Sequence, residues 1–257
     1  MSIRVRAGMK QRIKKIRYTV PDIIRGVSVI AMIVYHTMWD LVYLFGVSVP
    51  WFKTDMGFLF QQSICWSFVL ISGFCWHLGK KKIKRSVIVL ACSLVLTAVT
   101  AIVMPEQIIL HGVLSLIGTA MLVTIPLDKI FKKVHPLWGI VISFLLFLLT
   151  YDVNNGFVGI AGHKLFELPE SLYLNTVTAF FGFPHDTFYS SDYVPILPWI
   201  FVFFIGYFIY ALLERKNKLN FLSKFTCKPI EFIGRHSLEI YMAHQPIIFG
   251  LLFLIFK

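Results

Sequence analysis

The chain has 257 residues, of which 57% are hydrophobic, and its mean hydropathy is +0.74. Soluble domains are roughly 45–50% apolar, so this composition, arranged in long apolar blocks, excludes an ordinary soluble protein and indicates a polytopic membrane protein. The net charge of +12 does not indicate nucleic-acid binding, because the positive residues are confined to alternate loops between the apolar blocks.

Seven apolar blocks are long enough to cross a hydrocarbon core of about 30 Å. The predicted spans are residues 23–46, 57–79, 86–104, 107–126, 136–150, 195–213 and 236–256. A shorter apolar stretch, residues 171–183, is interrupted by Asn175 and Gly182 and is predicted to be re-entrant or amphipathic. The sequence therefore predicts an all-α membrane bundle of seven helices that forms a single domain over residues 1–257.

The loops between these spans alternate in charge. Few positive residues occur around 53–55, 105–107 and 152–192, whereas four other segments are basic: Lys10–Arg17, Lys80–Arg85, Lys129–Lys133 and 214–228. By the positive-inside rule, the basic N-terminal segment, residues 1–21, is cytoplasmic, and the 151–194 loop and the C-terminus are extracytoplasmic. The basic runs act as topology signals that also meet anionic lipid, or they recruit a polyanionic cofactor.

Two further expectations concern processing and metals. The first apolar block holds Arg25 and is followed by no small-residue cleavage site, so it is expected to stay as a helix rather than be removed as a signal peptide. The four cysteines have no paired metal spacing, and they are expected to be free thiols: Cys65, Cys75, Cys92 and Cys227. No metal site is predicted.

Four ionisable residues lie on one face of the first predicted helix: Asp22, Arg25, His36 and Asp40. At about 100° per residue, they fall within an arc of about 60°. A charged group inside hydrocarbon costs from about 2.5 kcal/mol upward, so such residues normally face a protein interior or a wet cavity and mark a functional path. This stripe is the first candidate for a functional site.

The predicted orientation gives the stripe a direction. Arg25 lies at the cytoplasmic mouth of the helix, and His36 lies about 16 Å further along it, at roughly 1.5 Å per residue. Asp22 is expected to pair with Arg25, and Asp40 to orient the ring of His36 or raise its basicity. This arrangement suits a cytoplasmic anionic donor whose reactive end reaches inward, and the alternative for His36 is a structural contact between helices.

The last predicted helix carries a second polar face. Ser237, Tyr241 and His244 share that face, and Gln245 lies beside it. These residues either bind substrate or form interhelical hydrogen bonds, each worth about 0.6–2 kcal/mol. Arg235 lies next to His236 at the predicted cytoplasmic edge, where it meets a phosphate or a lipid headgroup.

Small and aromatic residues in other spans have simpler interpretations. Ser72 and Gly73 in the second span favour close helix packing over catalysis. Trp39, Trp51 and Trp199 are most simply anchors at the membrane interface, although Trp199, which follows a proline, is also a candidate to line an outer cavity.

Five motifs resemble, in order, those of the transmembrane acyltransferase superfamily. They are Asp22-Ile-Ile-Arg25-Gly26 with ten residues between Arg25 and His36, Phe68-Val-Leu-Ile-Ser72-Gly73, Val113-Leu-Ser-Leu-Ile117-Gly118, Asp192-Tyr-Val-Pro-Ile-Leu-Pro198-Trp199, and Ile233-Gly-Arg-His-Ser-Leu-Glu-Ile-Tyr241-Met-Ala-His244-Gln245-Pro246. The spacing from arginine to histidine is a weak pattern alone, whereas the ordered set is strong and extends from about residue 17 to the C-terminus. Within the superfamily, the chain most resembles the bacterial group related to the catalytic domain of heparan-alpha-glucosaminide N-acetyltransferase.

The resemblance implies a membrane-embedded acyltransferase. Such an enzyme moves an acyl group, usually acetyl, from cytoplasmic acyl-coenzyme A to a hydroxyl or amine of an acceptor at the outer face, often a sugar. His36 matches the essential histidine of the family, and Arg25 matches its motif arginine. Where the family carries a histidine in the fourth helix, this chain has Ser115, and His111 lies one predicted helical turn away and could reach the same cavity.

Acyl transfer needs a base, donors for the oxyanion and two positioned substrates. A neutral histidine is the natural base near pH 7, with Asp40 stabilising the imidazolium, and an acetyl-histidine intermediate is a second route. Arg25, with Asp22, Arg235 and the lysines of Lys80–Lys82, is expected to hold the phosphates of acetyl-coenzyme A.

The acceptor is expected to enter from the outer loop. Asp192, beside the proline-rich entry to the sixth span, is the preferred carboxylate on the acceptor side, whereas His163 and His185 are expected to be surface residues. The predicted partners are the bilayer of the cell membrane, acyl-coenzyme A and a sugar-containing acceptor, and the small number of spans leaves room for a homodimer that completes a groove.

Two other functions use the same residues. In a proton- or ion-coupled transporter, the stripe and His111 would form a relay, but the chain has no internal repeat and no matching pair of broken helices. The third option is a membrane protein that binds lipid or a partner without catalysis.

Overall fold

The computed structural model describes residues 17–160 and 162–256. Within these residues, seven helices are long and apolar enough to cross a membrane, which confirms the predicted all-α bundle. Their bounds are α1 Thr19–Tyr43, α2 Asp55–Phe74, α3 Lys82–Val103, α4 Val113–Phe131, α5 Pro136–Leu149, α7 Ile196–Arg215 and α9 Ser237–Phe256. Most of the predicted basic N-terminal segment lies outside the described residues.

Two short α-helices, two strands and five 3-10 helices complete the secondary structure of the described part. Helix α6, Thr176–Phe181, falls in the stretch predicted to be re-entrant or amphipathic, and α8, Lys228–Arg235, precedes α9. Strands β1, Phe157–Ile160, and β2, His163–Glu167, form an antiparallel pair. Since the spans alternate in direction, the segment from α5 to α7 lies at the opposite end of the bundle from the start of α1. We call these the loop end and the basic end, the latter holding Lys80–Arg85 and 214–228.

The fourth span begins six residues later than the sequence predicts, at Val113. The preceding residues pair instead with the segment before α7: Ser191 N–H donates to the carbonyl of Ile108 at 3.0 Å, and Val194 N–H donates to that of His111 at 3.0 Å. His111 has a φ of 54°, which an α-helix does not allow. The apolar residues before Val113 therefore belong to a loop that packs against a segment far away in the sequence.

Helix α7 occupies the centre of the bundle and packs against α2 and α5. Phe203 and Tyr207 are almost completely buried there. Gly73 of α2 lies against the backbone of Phe203, and Gly206 of α7 lies against the backbone of Leu70, so a Cβ at either glycine would collide with main-chain atoms. The predicted packing role of Gly73 is thus confirmed, because α2 and α7 approach each other closely at these two glycines.

Helix α1 is crossed closely by α8 at the basic end. Gly26 lies against the backbone of Ile230, and Gly234 lies against that of Asp22. Helix α9 then runs beside α1, while α3 packs mainly against α4. Two cavities lie between these pairs of helices.

Candidate functional site

Helices α1, α2, α3 and α9, with residues 104–113 and 191–192, surround a cavity of about 170 Å³. Its polar lining includes His36, Gln61, Asp192, Tyr241, His244 and Gln245. We call it the histidine cavity. It brings together predicted site residues that are separated by more than 150 positions in the sequence, from α1, from the segment before α7 and from α9.

Two histidines face each other in this cavity. The ring centroids of His36 and His244 are 4.9 Å apart, and their planes form an angle of 60°. His244 is only 8% exposed, and its Nδ1 donates to the backbone carbonyl of Tyr241 at 2.6 Å. The arrangement places two groups that can each carry or accept a proton within one small volume.

Asp40 contacts α9 rather than His36. Its side chain is completely buried, and its Oδ1 accepts a hydrogen bond from Nε2 of Gln245 at 2.7 Å. The predicted contact between Asp40 and His36 is therefore not formed. Asp40 holds Gln245 in place at the cavity wall, because a charge-assisted hydrogen bond is among the stronger ones in proteins.

Asp192 reaches the same cavity from the segment before α7. Its Oδ2 accepts a hydrogen bond from the hydroxyl of Tyr241 at 3.2 Å. Burial raises the pKa of Asp192, against the opposing effect of hydrogen bonds from the Val113 N–H and the Tyr241 hydroxyl. The chain passes close to this carboxylate at Gly112, where a Cβ would lie 2.9 Å from Oδ2. The glycine thus allows the loop end to bring Asp192 against α9.

A second cavity of about 300 Å³ lies on the side of the basic end. Three arginines line it, Arg25 of α1, Arg85 of α3 and Arg235 of α8, together with Ser72, Ser237 and one carboxylate residue, Glu239. We call it the arginine cavity. Arginine is the side chain best suited to forked hydrogen bonds with phosphate, so this cavity is a candidate anion site.

The two cavities share part of their walls. Phe68, Val113 and Tyr241 line both of them. The arginine cavity and the histidine cavity are therefore neighbours inside the bundle.

Asp22 pairs mainly with Arg17. Arg17 donates to its Oδ2 at 2.7 Å and 3.2 Å, whereas Arg25 Nη1 is 4.0 Å from its Oδ1. The predicted pair of Asp22 and Arg25 is thus loose, and the Arg25 guanidinium also makes a hydrogen bond with the Cys75 side chain. Lys80–Lys82 are not part of the arginine cavity, and Lys82 Nζ lies over the ring of Trp76, 3.0 Å from its centroid.

Three residues predicted to line the cavities lie elsewhere. The ring of His111 packs near Phe180, and its Nε2 is 3.2 Å from the carbonyl of Thr176. Burial lowers the pKa of His111. Because α4 begins after His111, this residue is not one helical turn from Ser115, and neither lines the histidine cavity or the arginine cavity. Trp199 is buried in the core beside α2 and α5 instead of at an interface.

The sequence interpretation missed several polar residues of the site, among them Arg85 and Gln61. The sequence places Arg85 in a basic run that acts as a topology signal or recruits a polyanionic cofactor, and does not mark it as a site residue, although it directly precedes a strongly apolar block and lies in the first turn of α3. Gln61 is a polar residue in the second span, and the rule that polar groups inside a membrane face a cavity would have found it. Among the described residues, no group of three or more His, Cys, Asp or Glu side chains could hold a metal ion.

Comparison with known proteins identifies the family. No curated protein and no solved structure matches the chain. A family model does match, that of the heparan-alpha-glucosaminide N-acetyltransferase catalytic domain, over residues 17–246. The match includes every residue that lines the two cavities and confirms the resemblance seen in the motifs. The chain belongs to the family of heparan-alpha-glucosaminide N-acetyltransferase catalytic domains, which are membrane acetyltransferases.

Proposed function

We propose that the protein transfers an acetyl group from acetyl-coenzyme A to a hydroxyl or amine of a glycan acceptor on the other side of the membrane. The observation that carries this proposal is the pair of adjoining cavities, one lined by three arginines and the other by two histidines. A transferase with an anionic donor needs both a phosphate site and a site for proton transfer, and it needs them in contact.

The basic end would face the cytoplasm. Lys80–Arg85 and Lys129–Lys133 lie at this end, and positive residues are enriched in cytoplasmic loops. This orientation, in the cell membrane, exposes the arginine cavity to the compartment that holds acyl-coenzyme A. The loop end would then receive the acceptor, and residues 1–257 would act as one membrane domain.

The three arginines would bind the phosphates of the donor. Arg25, Arg85 and Arg235 come from three different helices, so a phosphate group held between them also fixes the relative position of α1, α3 and α8. The extended arm of the donor would pass Phe68 and Tyr241, which line both cavities, and bring the thioester to His36.

His36 would act on the reacting group, either as the base that takes the proton of the acceptor or as the carrier of the acetyl group. Both roles require a neutral imidazole that is accessible from the cavity. On the acceptor side, Asp192 and Gln245 offer hydrogen-bonding groups to hydroxyls of a sugar. Asp40 would act indirectly, through its hydrogen bond to Gln245.

The test is binding of acetyl-coenzyme A to the purified protein, measured by calorimetry in detergent. The proposal predicts saturable binding that competes with free coenzyme A and is weakened in the variant Arg25→Ala. Absence of binding would overturn it. Reconstitution in liposomes with an ion gradient provides the contrast, because dissipation of the gradient without donor binding would indicate the transporter that uses the same polar residues.

A further inference from the structure

His244 has a free nitrogen that nothing in the proposed function uses. A backbone carbonyl can only accept hydrogen bonds, so the nitrogen that contacts the Tyr241 carbonyl, Nδ1, must carry the proton. In a neutral imidazole the other nitrogen, Nε2, then holds a lone pair. This Nε2 is buried and has no hydrogen-bond partner among the described residues.

A buried acceptor without a partner costs about 1–3 kcal/mol, so its persistence in a cavity wall indicates that a ligand supplies the donor. The neighbouring side chain shows the same feature, since Oε1 of Gln245 is also buried without a partner. In addition, Pro246 has no N–H, so α9 lacks the hydrogen bond that would reach the carbonyl of Met242, a residue of the same cavity. This turn of α9 therefore offers hydrogen-bond acceptors, which suit a ligand that carries O–H or N–H groups.

We infer that His244 is a second catalytic histidine, whose Nε2 takes the proton of the acceptor hydroxyl or amine during transfer. This inference rests on the proposed function and assigns the role of base to a residue on α9, so that His36 is the carrier of the acetyl group. The Tyr241 carbonyl keeps Nδ1 protonated and fixes the ring, so that Nε2 stays directed to the cavity as the proton arrives.

The proton and bond changes balance. The lone pair of one ring nitrogen of His36 forms a C–N bond to the acetyl carbon as the C–S bond breaks with its electron pair on sulfur. The thiolate takes the proton of the other ring nitrogen of His36 and leaves as coenzyme A. The O–H or N–H bond of the acceptor then breaks, its proton moves to Nε2 of His244, and its electron pair forms the bond to the acetyl carbon. The C–N bond breaks with its electron pair on the His36 nitrogen. The proton passes from His244 to the nitrogen that the acetyl group leaves, which the separation of 4.9 Å between the two ring centroids favours.

Two variants separate catalysis from folding. His244→Ala removes the ring, whereas His244→Asn keeps an N–H donor near the Tyr241 carbonyl and removes only Nε2. The matched control is His163→Ala, because His163 is an exposed histidine on β2. Each protein is purified, checked for a single monodisperse peak and assayed with acetyl-coenzyme A by release of free thiol, with glucosamine, octyl glucoside or water as the acceptor.

Both His244 variants should bind acetyl-coenzyme A as the parent protein does and lose about 10²–10⁴-fold in kcat, the usual contribution of a positioned base. Added imidazole should restore activity to His244→Ala and leave His36→Ala inactive. A kcat close to that of the parent protein in His244→Asn would overturn the inference, and so would loss in His244→Ala that imidazole does not restore while binding is intact. Failure of the parent protein to bind or turn over acetyl-coenzyme A would instead refute the proposed function.

Discussion

The arginine cavity leads to a specific prediction for Arg85, a site residue that lies among lysines of a basic run in the sequence. Arg85→Met removes one of three guanidinium groups from the cavity and keeps a side chain of similar length. A hydrogen bond to a charged group contributes about 1.5–3 kcal/mol. Since 1.4 kcal/mol corresponds to a factor of ten, the dissociation constant for acetyl-coenzyme A should rise about 10- to 150-fold.

The matched control is Lys84→Met, which removes the same charge from the preceding position. Lys84 is exposed and does not line the cavity, so its loss should change affinity by less than about threefold through long-range charge alone. Calorimetry in detergent measures both variants at one salt concentration. Acetyl-pantetheine, which lacks the phosphates, serves as a second probe and should bind equally to parent and Arg85→Met proteins. Equal losses in the two variants, or no loss in Arg85→Met, would refute a phosphate site at this cavity.

Two further predictions concern stability, measured as thermal unfolding of the purified protein in detergent. Gln245→Leu leaves the buried Asp40 without its hydrogen bond and should destabilise the fold by about 1.5–3 kcal/mol, and an unchanged Tm would contradict the importance of this contact. Gly73→Ala places a Cβ against the backbone of Phe203 and should cost about 1–3 kcal/mol, whereas Gly250→Ala, with no atom nearby, should be neutral or slightly stabilising. Equal changes in stability in the two alanine variants would show that helix propensity, and not close packing, determines the effect of each substitution.

Much of the fold could be predicted from the sequence, because helices that cross a membrane have a simple pattern of apolar residues. An apolar block of the right length predicts a span, and helical periodicity predicted that Arg25 and His36 face the same interior. Both residues line cavities of the bundle. The period also placed Tyr241 and His244 on one face of α9, and both reach the histidine cavity.

The failures share one physical cause, which is contact between residues that are far apart in the chain. Asp40 was assigned to His36, four residues away, but its partner Gln245 is 205 residues away. The apolar residues before Val113 were predicted to be helical, but they form hydrogen bonds with the segment around Ser191. His111 therefore lies outside the helix in which it was predicted. Local periodicity carries no information about such pairings.

The sequence did not identify Arg85 as a site residue for a different reason. Positive residues at the ends of spans normally report orientation, and this signal hides a functional arginine among topological ones. Only the placement of its side chain beside Arg25 and Arg235 distinguishes it from the neighbouring lysines.

Acetyl transfer by the protein in liposomes tests the central claim most directly. Acetyl-coenzyme A with a labelled acetyl group is added on the side of the basic end, and an amino sugar is enclosed on the other side. The account predicts labelled N-acetyl sugar inside the liposomes with the parent protein and none with His36→Ala, although both proteins bind the donor. Equal labelling by His36→Ala and the parent protein would contradict the account, as would a parent protein that binds the donor and labels no acceptor.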